Sequence, residues 1–400
     1  MNYYSEPSVD IYLGDTREVL KSLPDESIDM VVTSPPYLKQ RKYPQQADID
    51  WEDGKYQFGY ERTVQLYIDH TIEFFELMRR VLKESGSIFW NIGDSRNKKG
   101  QLLLIPQRLV TALQDRGWLA VNYVIWHRGN PTPESIGRRM TDSYEVILFI
   151  AKTSNYYWDA ESVRQPFAPS TYERLKYPVG VVPGSKVYEQ IEGMQGHPPQ
   201  GENLRHILEQ SGANLWDFWV IRADSQEKFS KNHYAVFPVE LPRRAILAAC
   251  PPQVCNVCGK PYRRIVEKTR LKVWEGDSER LIKAVEPMAP LGETSVFRTG
   301  NQALTRTIGW EPTCSCGASS EPGVCLDPFA GSGSTGVAAK TLGRRAVLID
   351  IVPEFVRAAK ARIEATSAPL FPITKEFEAE IKEETDYQLA FPLGEEATDE

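Results

Sequence analysis

Residues 324–350, "VCLDPFAGSGSTGVAAKTLGRRAVLID", decide the fold. A short apolar run ends at Asp327, a glycine-rich turn follows, "GVAAKTLG" has the composition of a helix, and "RRAVLID" is a second strand ending at Asp350. Glycines at 331 and 333 allow a tight turn and a close backbone approach to a ligand, and the helix N-terminus behind them offers free amide donors. No Gly-Lys-Ser/Thr follows, so the turn is not a P-loop. Asp350, at the end of the second strand, is placed to accept hydrogen bonds from both hydroxyls of a ribose. The pattern fits several nucleotide cofactors, and a turn of purely structural purpose also satisfies it.

Strand and helix alternate in the same way at the start of the chain. "VDIYLGD" reads as a strand, "TREVLKSLPDES" as a helix with Thr16 as its N-cap, and "IDMVVT" as a short buried strand. "LYIDHTIEFFELMRRVLKESG" has helical spacing and stops at Gly86; "SIFWNIGD", "AVNYVIWHRG" and "SYEVILFIAK" read as strands. This predicts a doubly wound α/β sheet with functional loops at the carboxyl ends of its strands. Residues 155–230 lose periodicity and form a loop-rich insertion, and "FPVELPRRAILAAC" resumes a helix with Pro242 in its first turn. No internal repeat is present.

At 400 residues, 41% hydrophobic and 25% charged, the composition is that of a soluble globular protein with a substantial core. No apolar run approaches a membrane span and the first ten residues lack a signal peptide's features, which predicts a cytoplasmic protein. The net charge of −7 argues against nucleic acid only until it is located. Residues 371–400 hold ten acidic side chains against Lys375 and Lys382, a balance of −8, so the remainder carries about +1. That tail reads as a solvated acidic segment. Of six cysteines, Cys255 and Cys258 form a Cys-x-x-Cys pair, and Cys314 and Cys316 a Cys-x-Cys pair. Together they predict a closed four-thiolate structural Zn2+ site, with Gly259 and Gly317 suited to the turns. The long spacer departs from compact zinc ribbons, and Cys250 and Cys325 read as core.

With "TSPPY" at residues 33–37 beside "DPFAGSGST" at 327–335, the chain resembles the β-class S-adenosylmethionine-dependent amino-DNA methyltransferases. The resemblance covers most of residues 9–365. It implies a circularly permuted Rossmann-like core, because the catalytic motif precedes the cofactor motif, with a recognition insertion and a zinc-knuckle insert. By that resemblance Asp327, Phe329, Gly331 and Gly333 surround the methionine part of S-adenosyl-L-methionine, Asp350 holds its ribose and Asp15 sits near its adenine. Phe237 and Glu240, on a helix closing over the cofactor, join them. Ser34, Pro35, Pro36 and Tyr37 form the catalytic motif.

An exocyclic amine inside a duplex is unreachable, so the base must be flipped and held by stacking, here on Tyr37. Its lone pair is delocalised into the ring. Accepting its N–H protons with the Ser34 hydroxyl and the following backbone carbonyl favours a pyramidal nitrogen able to attack a sulfonium methyl. Prolines stiffen that backbone. A ring-carbon methyltransferase would instead use a cysteine in a Pro-Cys pair, which this chain lacks. Serine at position 34 is associated with cytosine N4 in the family, and aspartate mostly with adenine N6.

The division expected is a catalytic half over 1–154, target recognition over 155–230, a pocket-closing helix over 231–254, the zinc-knuckle insert over 255–317, the cofactor half over 318–370 and an acidic tail over 371–400. The partner implied is double-stranded DNA, with a restriction endonuclease of the same specificity as a companion. Lys98, Lys99, Arg138 and Arg139 are the denser basic positions for phosphate contact. Adenine N6 on the same scaffold, a non-catalytic zinc-containing DNA-binding protein, and methylation of a protein amide remain alternatives.

Overall fold

A computed structural model describes residues 2–129, 137–165, 212–222, 238–270 and 303–367. The chain divides into two units, and the first comprises residues 1–162, 216–263 and 310–372. It opens with β1 (Asn2–Ser5), β2 (Val9–Leu13), α1 (Thr16–Ser22) and β3 (Ile28–Thr33). A hairpin of β4 (Asp48–Trp51) and β5 (Gly54–Gln57) precedes α2 (Val64–Val81), β6 (Leu82–Ile92), α3 (Ile105–Gln114), β7 (Leu119–His127) and β8 (Tyr144–Ala151). After β9 (Phe218–Val220) come α4 (Glu240–Ala249) and β10 (Val254–Cys255). The second unit, residues 163–215, 264–309 and 373–400, takes in most of β11 (Arg263–Arg270) and β12 (Ala303–Glu311), which pair with each other. The first unit then closes with β13 (Ser320–Glu321), β14 (Val324–Asp327), α5 (Ser334–Thr341), β15 (Arg345–Asp350) and α6 (Pro353–Ala365).

One nine-stranded sheet organises the first unit, in the order β1-β2-β15-β14-β3-β6-β8-β7-β9. Its centre, β2 through β6, is parallel, as the strand-helix-strand spacing predicts. β8 runs antiparallel between β6 and β7, and β1 is antiparallel to β2, so the sheet is mixed rather than uniformly parallel. The physical reason is connection: among the described residues no helix lies between β7 and β8, and a return without a crossover helix yields an antiparallel pair.

Alternation along β15 shows helices on both faces. Val347 and Ile349 belong to the core shared with α1, α2 and α3, whereas a Cβ on Gly336 of α5 would lie 2.7 Å from Leu348, the residue between them. α2 supplies much of the first layer through Tyr67, Ile68, Phe74, Phe75 and Met78, all nearly inaccessible. Its helix ends at Val81 and β6 starts at Leu82, earlier than the glycine at 86 suggested. Inside the sheet, the Asp29 carboxylate on β3 accepts from Lys83 Nζ at 2.8 Å and from the Val324 amide at 2.8 Å. It thereby ties β6 and β14 to β3, and burial raises its pKa against the pull of Lys83. Among the described residues no helix is long and apolar enough to cross a membrane.

Candidate active site

β3 and β14 are neighbours, so the Ser34 turn and the glycine turn leave the sheet side by side at its carboxyl edge. Asp327, the last residue of β14, is fully enclosed and joins the two turns. Its Oδ1 accepts from Thr33 Oγ1 at 2.6 Å and the Phe329 amide at 3.1 Å, and its Oδ2 accepts from Thr335 Oγ1 at 2.6 Å. Burial pushes its pKa up to about 6, and the two hydroxyls pull against that. Thr33 belongs to β3 and Thr335 to α5, so one buried carboxylate fixes the catalytic strand against the glycine turn. Asp327 therefore sits behind the cleft wall, where it positions the neighbouring residues.

The glycine turn is built as its sequence requires. Gly331 and Gly333 have φ of 52° and 82°, values that favour glycine. A Cβ on Gly333 would also meet Ala359 Cβ of α6 at 2.9 Å, so this glycine admits helix packing rather than lining the cleft. The Gly331 amide donates to Asp350 Oδ2 at 2.8 Å, and the Val352 amide to Asp350 Oδ1 at 2.8 Å. Each carboxylate oxygen thus accepts a backbone amide, the Ile351 amide also faces the group, and lone-pair capacity remains. Burial raises the Asp350 pKa to about 6, opposed by the Val352 and Gly331 amides and aided by the charge of Asp327.

Gly331, Asp350 and Val352 help to wall a cleft of roughly 700 Å³, open solvent at its mouth included. Asp15, Phe329, Gly331 and Asp350 line it together with Ser34 and Pro36. Asp15, not Thr16, caps α1: its side chain accepts from the Arg17 amide at 2.9 Å, while Thr16 Oγ1 donates to the Pro328 carbonyl at 2.6 Å. Phe329 stacks on Phe58 at 5.6 Å and meets Phe74 edge-on at 5.0 Å. Tyr43, Ile49, Gln57 and Phe58 also line it, none of them singled out by sequence. A signal was present: Asp53-Gly54 between alternating runs marks a hairpin, and the structure forms it as β4 and β5.

Around Ser34 the side chains make a polar cluster. Ser34 Oγ lies 3.1 Å from Tyr37 Oη, and Tyr37 donates to Glu145 Oε2 at 2.6 Å. Asn91 Nδ2 is 2.6 Å from Tyr37 Oη, 3.0 Å from Glu145 Oε2 and 3.3 Å from Ser34 Oγ. The other Glu145 oxygen lies 3.8 Å from Arg128 Nη1. Burial, reinforced by the Glu145 charge, holds the Tyr37 pKa well above that of an ordinary phenol, so the hydroxyl keeps its proton. A Cβ on Gly93 would lie 3.0 Å from the Tyr37 ring, so glycine there makes room for the aromatic. The Pro36 carbonyl accepts from Tyr67 Oη at 2.9 Å, which anchors the Pro-Pro turn to α2.

Glu240 lies outside this cleft as described: it heads α4 and bonds Arg243 and Arg244. Phe237 lies outside the described residues. The sulfurs of Cys255, Cys258, Cys314 and Cys316 lie within 4.8 Å of one another, while Cys250 and Cys325 are buried elsewhere. The Cys258 and Val257 amides, aimed at Cys255 Sγ, lower its thiol to about 6. Gly259 and Gly317 have φ of 69° and 63°, as turns beside such sulfurs require.

A cleft shared by Ser34 and Pro36 of a Ser-Pro-Pro-Tyr turn and by Asp350 and the glycine turn defines an amino-methyltransferase architecture. The chain belongs to the DNA methylase family of amino-DNA methyltransferases, whose profile matches residues 28–256 and 317–361. It is 28% identical over 405 residues to the Type II methyltransferase M.SfiI of Streptomyces fimbriatus, covering 87% of this chain and 89% of that protein. It is 25% identical over 384 residues to M.SmaI of Serratia marcescens, with 89% and 91% covered. The fold is similar to the solved PvuII DNA methyltransferase (cytosine-N4-specific), with a TM-score of 0.53 at 17% identity over 96% of this chain and 94% of that one.

Proposed function

We propose that the chain is a site-specific DNA methyltransferase that moves the methyl group of S-adenosyl-L-methionine to the N4 amine of a flipped cytosine in duplex DNA. One observation carries the reading: Ser34 and Asp350 face the same cleft, so an amine acceptor and a ribose acceptor share one space. S-adenosyl-L-methionine supplies an electrophilic sulfonium methyl. Asp350 would hold its ribose hydroxyls, Phe329 and Gly331 would flank it and Asp15 would lie near its base. Ser34 and the following carbonyl would accept the amine's N–H bonds, and Tyr37 would offer its ring to the base. Serine at position 34 and the likeness to a cytosine-N4 enzyme favour cytosine over adenine. The Type II designations of the two relatives support a modification enzyme of a restriction-modification system, paired with an endonuclease of the same specificity.

The order of the motifs, Ser34 strand before glycine turn, is read as a circular permutation, which a parallel sheet tolerates when the new termini fall in surface loops. Residues 155–230 are assigned to target recognition. The test is methyl transfer from labelled S-adenosyl-L-methionine to unmethylated duplex DNA. Label in the DNA that is lost with Ser34→Ala supports the reading, and no label in DNA of any sequence overturns it.

Cofactor affinity depends on pH. For the empty protein, the raised Asp350 pKa means stability from this group is present below its ordinary 3.8 and lost as pH rises through about 6. Ribose hydroxyls have the opposite demand, because they donate to the ionised form. Asp327 and the Tyr43 phenol are the titratable groups facing it. Affinity for S-adenosyl-L-methionine should therefore be flat above about pH 7 and fall below about 6, approaching tenfold per pH unit for one coupled proton. Calorimetric titration across pH 5 to 8 in buffers of different ionisation heat should show proton release near pH 6; a pH-independent constant would remove Asp350 from the ribose site.

The cysteine cluster fits a four-thiolate zinc of structural type, since no ligand position is left open for chemistry. Elemental analysis should find one zinc per chain in the purified protein and none in Cys258→Ser, with a lowered melting temperature; a metal-free protein of unchanged stability would refute the site.

A further inference from the structure

The hydrogen-bond chain from Ser34 to Glu145 has a direction, and the carboxylate imposes it. An ionised carboxylate only accepts, so the 2.6 Å contact commits the single Tyr37 hydroxyl hydrogen to Glu145 Oε2. Tyr37 Oη can then only accept from its other neighbours. Asn91 Nδ2 donates to it at 2.6 Å, and Ser34 Oγ, at 3.1 Å, must turn its own hydrogen toward it. Ser34 is left facing the cleft with lone pairs and no hydrogen. Asn91 Nδ2 reaches Ser34 Oγ only at 3.3 Å, a weak claim on one of those lone pairs. The burial that keeps Tyr37 protonated keeps the chain intact.

We propose that Glu145 is a positioning residue for methyl transfer, orienting the Tyr37 and Ser34 hydroxyls so that Ser34 meets the substrate amine as a hydrogen-bond acceptor. This rests on the reading of Ser34 as the group that receives the amine's N–H. A serine hydroxyl left free to rotate could instead donate to the cytosine ring nitrogen, which binds the base without favouring a pyramidal amine. Glu145 thus acts through two hydroxyls on the nitrogen's geometry and need not touch the base. Asn91 supports the same polarity, since its amino group, with two hydrogens, lies 2.6 Å from Tyr37 Oη and 3.0 Å from Glu145 Oε2 and only donates.

The test is Glu145→Gln, alone and with Tyr37→Phe, in steady-state methylation of duplex DNA. Glutamine keeps the size but both accepts and donates, so the direction is no longer imposed. The single variant should lose about 10- to 100-fold in kcat with KM for DNA and S-adenosyl-L-methionine within about threefold, the pattern of an interaction made in the transition state. In the Tyr37→Phe background the chain is already cut, so adding Glu145→Gln should cost less than about twofold further. Tyr37→Phe alone, with Glu145 intact and the aromatic ring kept, should show a comparable loss in kcat. Wild-type kcat in either single variant, or losses that multiply in the double variant, would overturn the proposal. Failure of the wild-type protein to methylate an exocyclic amine at all would instead overturn the functional reading beneath it, so the two failures are told apart.

Discussion

Ser34→Ala should lower methyl transfer to DNA by ~10²–10³-fold, the scale of removing one hydrogen-bond partner that acts on developing charge. S-adenosyl-L-methionine affinity should stay within about twofold, because the ribose acceptor and the aromatic wall are untouched. The argument is local. Ser34 follows the last residue of β3, its neighbour Thr33 is bolted to Asp327, and the Pro36 carbonyl is tied to Tyr67. The backbone therefore stays put when the hydroxyl is removed, and the loss reports the hydroxyl alone. Rapid-quench single-turnover rates with bound cofactor measure it directly, and near-normal turnover would strip Ser34 of its role.

Asp350→Asn should weaken S-adenosyl-L-methionine binding by ~10²–10³-fold, nearly as much as Asp350→Ala, the expected cost of losing about two hydrogen bonds to a charged acceptor. Asparagine is a poor substitute for a specific reason. Both carboxylate oxygens already accept backbone amides, from Gly331 and Val352. Whichever way the carboxamide turns, its NH₂ confronts one of those donors. The variant therefore loses a ribose acceptor and also loosens the glycine turn. Calorimetry on the purified variant checks this, with thermal unfolding run beside it; wild-type affinity in Asp350→Asn would show that the ribose is held elsewhere.

What sequence made legible here was local. The strand, glycine turn and helix from Val324 onward depend on turn chemistry and periodicity within a few residues, and so does the Ser34 turn. Asn91 and Glu145 were not legible because their meeting depends on β6 pairing with β8 across more than fifty residues of chain. The hints were a polar residue inside "SIFWNI", buried and in need of a partner, and a charge opening "YEVILFIA", half-buried at the start of its strand. Asp327 belonged to the recognised motif, yet its enclosure between Thr33 and Thr335 is a tertiary fact, visible only once β14 lies beside β3. The hairpin lining the cleft was legible in principle at Asp53-Gly54. Asp15 displaced Thr16 as the cap of α1 because the threonine hydroxyl is drawn to the Pro328 carbonyl of the glycine turn, a contact 312 residues away in sequence.

The most direct measurement is to incubate the purified protein with methyl-labelled S-adenosyl-L-methionine and unmethylated mixed-sequence duplex DNA, digest to nucleosides and identify the labelled one by mass spectrometry. N4-methylcytosine is the result expected from a serine acceptor beside this cleft; N6-methyladenine as the labelled product would contradict it.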